Sequence, residues 1–260
     1  ITAMVSDNQS IEKLIAQVNN FSKISGLYMN HNKTEVMGIG TTEGFSLENS
    51  HWKWCTTGMK VLGVVFSYNS TYSYKQNFQR VLDNLKTKLN LWKSRQLSTI
   101  GKIQIIKSHG ISQLLYISNM LATPPNFIKE SNAIIFSFIW NGVDKVKRKH
   151  MFSDYHEGGL RMVDLQAQID TKKILWMKRL LSKRNNQWRV IPTLWFQDIG
   201  GLEYLKGCPV NKMANKLPVF YKQCILPWKK WQMLTFEETP ANILRQPISC
   251  NHLIQKDKKG

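Results

Sequence analysis

Six cations stand where two helices would offer them to one polyanion. Between Tyr72 and Arg95 the apolar residues Phe78, Leu82, Leu85, Leu89 and Trp92 recur at spacings of four and three, the pattern of a narrow seam that packs on a second helix. Lys86 and Lys93 share one flank of that seam, and Lys88 and Arg95 share the other. A second helix, capped by Ser98 and running to about Leu121, has Ile100, Ile103, Ile106, Ile111, Leu114 and Leu115 for its core side. Lys102 and Lys107 are expected on its exposed side. Such side chains can contact phosphates, in a way that is sensitive to salt and blind to base sequence. Each one alone is an ordinary solvated helix residue, and only the grouping argues for a basic groove.

Other chemistry is scarcer. The four cysteines, Cys55, Cys208, Cys224 and Cys250, include no pair at C-x-x-C spacing, and Cys250 with His252 makes a lone pair. A zinc site is not supported; free thiols in a reducing compartment are the expectation.

Composition agrees with a polyanionic partner. Among 260 residues, 36 are Lys or Arg and 17 are Asp or Glu, a formal charge of +19, while 42% are hydrophobic. That apolar content suits a folded core rather than global disorder. A fold carrying this charge repels itself, so nucleic acid ranks first as partner, plain solubility second and an anionic membrane surface third. No apolar run has the length of a membrane span, and no membrane partner is expected. The basic residues are spread along the chain. Only Lys145–His150 and Lys256–Lys259 are locally dense, and they read as a solvated loop and a frayed end.

The elements that must position these residues follow from capping and periodicity. Ile1–Val5 is a short strand candidate. Asp7 or Asn8 can cap a helix with Ile11, Leu14, Ile15, Val18, Phe21 and Ile24 on one face, ended by Gly26. Val36–Ile39 and Val61–Phe66 read as strands around a polar insertion, Thr41–Lys60, that carries Trp52 and Trp54. Pro124-Pro125 starts a helix that runs through Phe138 to Trp140, and Asn141-Gly142 stops it. Asp164 caps a last strong helix that ends near Lys183 with Leu175, Trp176, Leu180 and Leu181 inside. Trp92, Trp140 and Trp176 fall on apolar faces and read as core, whereas Trp52 and Trp54 are also candidates for stacking on bases.

The residues Ser25-Gly26-Leu27, Asn30-His31-Asn32-Lys33-Thr34 and Leu62-Gly63 stand in an order that resembles the end of the palm in reverse transcriptases of LINE-type (non-LTR) retrotransposons. The likeness continues through Leu97-Ser98-Thr99-Ile100-Gly101-Lys102, Leu114-Leu115-Tyr116, Pro124-Pro125, Phe138-Ile139-Trp140, Glu157-Gly158-Gly159-Leu160 and Asp164-Leu165. Each piece is weak alone; their order and spacing carry the resemblance, from about Ile1 to Leu181.

The resemblance implies an α+β beginning, the last part of a palm, followed by a mostly α thumb and helical extension. It places the palm elements and primer grip at 1–70, the thumb at 71–185 and a loosely organised extension at 186–260. It implies a parent enzyme that copies RNA into DNA with two Mg²⁺ ions held by palm carboxylates. The chain would begin just after the Asp-Asp turn that supplies them, bind no metal and be inactive alone. Leu62 and Gly63 would form the primer grip. Lys33 would be a general acid toward leaving pyrophosphate, with a plain surface lysine as the other reading. Partners would be RNA, DNA and RNA–DNA hybrid, in the nucleus or cytoplasm. Two other classes stay open: a non-catalytic basic nucleic-acid-binding module, and a decayed retroelement product that binds nothing specifically.

Overall fold

A computed structural model describes residues 2–40, 52–182, 186–204 and 216–234. The terminal cations Lys256, Lys258 and Lys259, most of the 41–60 insertion, Lys183, Cys208 and the Cys250/His252 pair lie outside the described residues. What is described is mostly helical with a few short strands. The chain divides into two compact units that meet in sequence at Phe78 and Gln79, inside a helical run.

In the first unit, α1 (Asn8–Ser25) is capped by the Asp7 carboxylate, which accepts from the Ser10 amide at 2.7 Å. It ends at Gly26 with φ 71°, whose N–H donates to the Ser22 carbonyl. Little of the apolar stripe is covered: Ile11 is buried, but Phe21 and Ile24 are exposed. Thr2–Val5 form no strand, a correction with a plain cause. A strand needs a hydrogen-bonded neighbour, and the described sheets pair other residues: β1 (Glu35–Val36) lies parallel to β2 (Lys53–Trp54), and β3 (Met59–Val61) antiparallel to β4 (Val64–Phe66). The expected strand Val61–Phe66 is therefore two strands folded back at Leu62-Gly63. Asn77, fully buried, holds this hairpin: its Oδ1 accepts from the Val65 amide at 2.8 Å and its Nδ2 donates to the Val65 carbonyl at 2.7 Å. One amide side chain thus satisfies both groups that an adjoining strand would have paired. Short α2 (Ser70–Tyr74) follows, capped by Asn69.

The second unit is built from α3 (Arg80–Lys93), α4 (Thr99–Ile105), α5 (Ile111–Met120), α6 (Pro125–Trp140), α7 (Arg148–Phe152), α8 (Leu165–Leu181), α9 (Val190–Gln197), α10 (Gly201–Tyr204) and α11 (Val219–Leu234). The seam of α3 is buried at Leu82, Leu85 and Leu89. The run from α4 to α5 passes through one π-helical turn, Ile106–Gly110. Gly110 lets α3 pack closely there: a Cβ would lie 3.1 Å from Leu85 Cδ1. Local signals set the helix ends. The Ser98 hydroxyl accepts from the Gly101 amide at 3.2 Å, Pro125 opens α6, Asn141 closes it at φ 54°, and Asp164 accepts from the Ala167 amide at 3.2 Å to start α8. Both prolines and caps sit where the free backbone groups of helix ends need them.

The Glu157-Gly158-Gly159-Leu160 sequence returns the chain against α7. Gly158 takes φ 74°, and a Cβ on Gly159 would collide with the Ser153 backbone. The Met151 carbonyl accepts from the Leu160 and Met162 amides. The Asp154 carboxylate accepts from Arg161 Nε at 2.8 Å, and that hydrogen bond, more than the charge itself, holds the Asp154 carboxyl below the usual carboxylate range. From residue 186 on, the sequence alone suggests a loose extension. Its described part shares a core with α8: Met177 and Leu180 pack with Phe196, Ile199, Leu217, Cys224, Ile225 and Trp228.

Candidate nucleic-acid interface

The α3 seam turns its apolar face inward, which leaves Lys86, Lys88 and Lys93 in solvent. Arg95, just past the helix, is also exposed, and its guanidinium lies 4.9 Å from the centre of the Trp92 ring. Trp92 in turn stacks on His109. A guanidinium laid on an indole face keeps its outer N–H groups free for a phosphate. Lys107 falls in the π-helical turn and is half-buried.

Lys102 departs from expectation. Rather than facing solvent, it is 8% exposed, and its ammonium donates to the Ile139 carbonyl at 3.1 Å and to Asn141 Oδ1 at 3.0 Å. The cause is the end of α6, where a free carbonyl and the negative pole of the helix attract a cation. Burial, and then the charges of Lys145 and Lys93, push the Lys102 ammonium below the ordinary lysine value. Lys102 is thus a structural cation beneath the surface and leaves the set of direct phosphate contacts. The clue was its register: Lys102 is four residues before Ile106, so the two share a face, whereas Ile100, placed inside by pattern, is exposed.

A second buried lysine was not anticipated. Lys173 on α8 is 1% exposed, donates to the Leu121 carbonyl at 3.1 Å and lies 3.7 Å from the centre of the Phe220 ring. Burial lowers its pKa to about 8, and the same enclosure pushes the nearby Cys224 thiol up to about 12. Gln223 completes this joint by clamping both backbone groups of Thr123, at 2.8 and 2.7 Å. The group ties α8 and α11 to the Leu121–Thr123 link that leads into α6.

In the first unit, Lys33 is exposed and closes a single 3-10 turn, His31–Lys33, capped by the Asn30 side chain, which accepts from the Lys33 amide at 3.2 Å. Leu62 and Gly63 form the tip of the β3–β4 hairpin at φ 49° and 83°. Glycine takes such a conformation freely, whereas a branched side chain does so at a cost. Leu62 nonetheless stands there 78% exposed. The Trp52 indole N–H donates to His31 Nδ1 at 3.0 Å, which fixes the ring against the His31–Lys33 turn. Trp54 is partly open to solvent, and Trp92, Trp140 and Trp176 are half-buried.

The described residues contain no group of three His, Cys, Asp or Glu side chains able to hold a metal ion. No described helix is long and apolar enough to cross a membrane.

No family model matches the sequence. Over 208 residues the chain is 24% identical to the transposon TX1 uncharacterized 149 kDa protein of Xenopus laevis, an alignment covering 76% of this chain and 16% of that protein. Over 125 residues it is 22% identical to a putative ribonuclease H protein of Arabidopsis thaliana, covering 45% of this chain and 20% of that protein. The chain therefore spans a fifth or less of the length of these relatives. Together they point to a retroelement-related family.

Proposed function

We propose that the chain is the end of the palm and the thumb of a LINE-type reverse transcriptase, and that it holds primer and RNA–DNA hybrid without catalysing polymerisation itself. The observation that carries this reading is the β3–β4 hairpin. It places an exposed leucine and a glycine at positive φ on a tight tip. A backbone turn of this kind can approach another chain closely, and strain of this kind is retained where function needs it. The sequence order around it supports the same reading, with Asn30–Thr34 before it and the Leu97–Lys102 segment after it. The exposed cations Lys86, Lys88, Lys93 and Arg95 supply phosphate contacts without base preference, with Lys107 at their edge. A relative named as a putative ribonuclease H protein also agrees with a nucleic-acid partner.

In a complete enzyme Lys33 would donate a proton to the leaving pyrophosphate. Its exposed place at the end of a capped turn leaves the ammonium accessible. The Mg²⁺ ions of such an enzyme would be held by carboxylates outside the described residues.

The test has two parts. The purified chain should bind labelled RNA–DNA hybrid, and charge reversal of Lys86, Lys88, Lys93 and Arg95 should weaken binding by an order of magnitude or more at moderate salt, roughly as loss of several phosphate contacts requires. The same chain should extend no primer with Mg²⁺ or Mn²⁺. Absence of hybrid binding overturns the reading, and robust extension abolished by changing a carboxylate of this chain overturns the assignment of catalysis to other residues.

A further inference from the structure

The segment between α6 and α7 looks in sequence like a solvated loop, yet it is fixed at both ends. At its start, Asn141 closes α6 in the left-handed conformation and its side chain accepts from Lys102. At its far end, Met151 is buried, and its carbonyl accepts from two amides of the returning chain, those of Leu160 and Met162. Arg148 is spent on structure: its guanidinium lies 4.3 Å from the centre of the Phe136 ring and its Nε donates to Asp144 at 2.7 Å. Lys145, Lys147 and Lys149 are exposed and have no carboxylate partner among the described residues.

These cations do not stand apart from the rest of the basic surface. Lys145 and Lys93 both lie near enough to Lys102 to act on its charge. Lys93 ends α3, Lys102 sits on α4 and donates to Asn141 at the end of α6, and Lys145 follows four residues later, so three elements bring positive charge together, while the acid of this segment, Asp144, is paired with Arg148. Like charges gathered without a counter-charge raise the free energy of the protein, and a polyanion relieves that cost while releasing its own counterions.

We infer that Lys145, Lys147 and Lys149 form, with Lys93, one anchored phosphate-contacting rim for a nucleic-acid backbone, and that buried Lys102 positions it by tying α4 to the end of α6. This inference rests on the nucleic-acid reading above and adds to it a contact segment that the helix pattern alone does not reveal. Contacts are to phosphate oxygens, through ammonium groups, so the rim selects for charge density rather than base identity.

The experiment uses the full chain and a fluorescently labelled RNA–DNA hybrid, titrated across a series of salt concentrations. One variant carries Lys145→Ala, Lys147→Ala and Lys149→Ala. A control with the same charge change carries Lys13→Ala, Lys23→Ala and Lys129→Ala, all at exposed positions. The rim variant should lose about tenfold or more in affinity at moderate salt, and its slope of log affinity against log salt should become shallower by about 2 to 3, near one unit per lost contact. The control should lose less than about threefold, with its slope nearly unchanged. Replacing the same three rim residues by arginine should keep affinity within about twofold, because the charge is retained. Circular dichroism checks that helicity is kept in all variants. Equal losses in rim variant and control overturn the rim while leaving the nucleic-acid reading standing. Loss of affinity in the arginine variant, with helicity kept, also overturns a contact based on charge. Failure of the unaltered chain to bind hybrid at low salt overturns both.

Discussion

The two units bury their apolar residues to very different degrees. In the second, α3 to α8 enclose Leu85, Leu114, Phe127, Ile135, Phe136 and Phe138 almost completely, and α8, α9 and α11 enclose a further cluster around Phe196 and Cys224. In the first, an eighteen-residue helix leaves Phe21 and Ile24 in solvent, and each sheet has two strands of two or three residues. A two-stranded sheet alone is marginal in water, and parallel strands are ordinarily covered on both faces. The contrast teaches that a recognisable motif series does not imply a self-sufficient core. The helices of the second unit are stabilised by their own packing, whereas the described elements of the first unit bury few of their apolar side chains.

The sharpest way to break this contrast is to delete a side chain from each unit. Phe127→Ala in α6 should cost about 3–5 kcal/mol in chemical denaturation, since it removes a fully buried ring. Ile24→Ala on the exposed face of α1 should change stability by less than about 0.5 kcal/mol. Similar costs at both positions would mean that the first unit is as tightly packed as the second.

Lys173 sharpens the picture of the second unit through pH. Its folded value of about 8 lies below the ordinary 10.5. Between these two values the unfolded chain binds the extra proton, so the contribution of this position to stability rises with pH across that window. Cys224 acts in the opposite sense: its thiol is pushed up to about 12 from 9.0, so its contribution falls as pH rises above 9. Comparison with Lys173→Met isolates the first effect. The stability of the unaltered protein relative to the variant should increase between pH 8 and 10.5, by up to about 3 kcal/mol. A flat or falling difference would show that the Lys173 amine is not held in a costly buried place.

Within the first unit, Asn77→Ala should be the costly exception. It strips both partners from the Val65 amide and carbonyl, which should destabilise the hairpin by about 2–3 kcal/mol. Hydrogen exchange at the Val65 amide reads this directly, with faster exchange expected in the variant.

How far the sequence reaches follows the same division. Ends set by one local residue were legible: the Asp7, Ser98 and Asp164 side chains accept from backbone amides three residues on, and Asn141 closes α6 through its own left-handed backbone. The Gly-Gly of 158–159 was visible as a motif, though its reason, backbone passing against Ser153, is tertiary. The π-helical turns at Lys75–Gln79 and Ile106–Gly110 were not legible, because they shift the register in ways no spacing announces. Lys102 was misplaced because the isoleucines at 100, 103, 105 and 106 fit more than one face. What decides the face is the carbonyl of Ile139, thirty-seven residues away. For the candidate site, the cations of α3 were placed on the solvent side by the seam, while the anchoring of Lys145–Lys149 rests on contacts with α6 and with the returning chain at Leu160 and Met162.

Leu62→Gly should change stability little and is the most telling about use. Relief of a leucine at φ 49° offsets the extra flexibility glycine gives the unfolded chain, so stability should stay level or rise by up to about 1 kcal/mol. If the tip contacts primer, hybrid binding should weaken at the same time. A gain in both, or a loss of stability alone, would sever the turn from function.

The central claim, that the Leu62-Gly63 turn meets the primer end while the exposed cations of α3 meet the hybrid backbone, is most directly tested by crosslinking. A photoreactive group at the 3′ end of the DNA strand of an RNA–DNA hybrid is activated in complex with the full chain, and the attached peptide is identified by mass spectrometry. The account predicts attachment within Met59–Phe66, diminished by Leu62→Gly. A group placed in the duplex interior should attach instead within Arg80–Arg95. Attachment of the 3′ end to the terminal Lys256–Lys259 segment, or evenly to basic peptides throughout the chain, would contradict it.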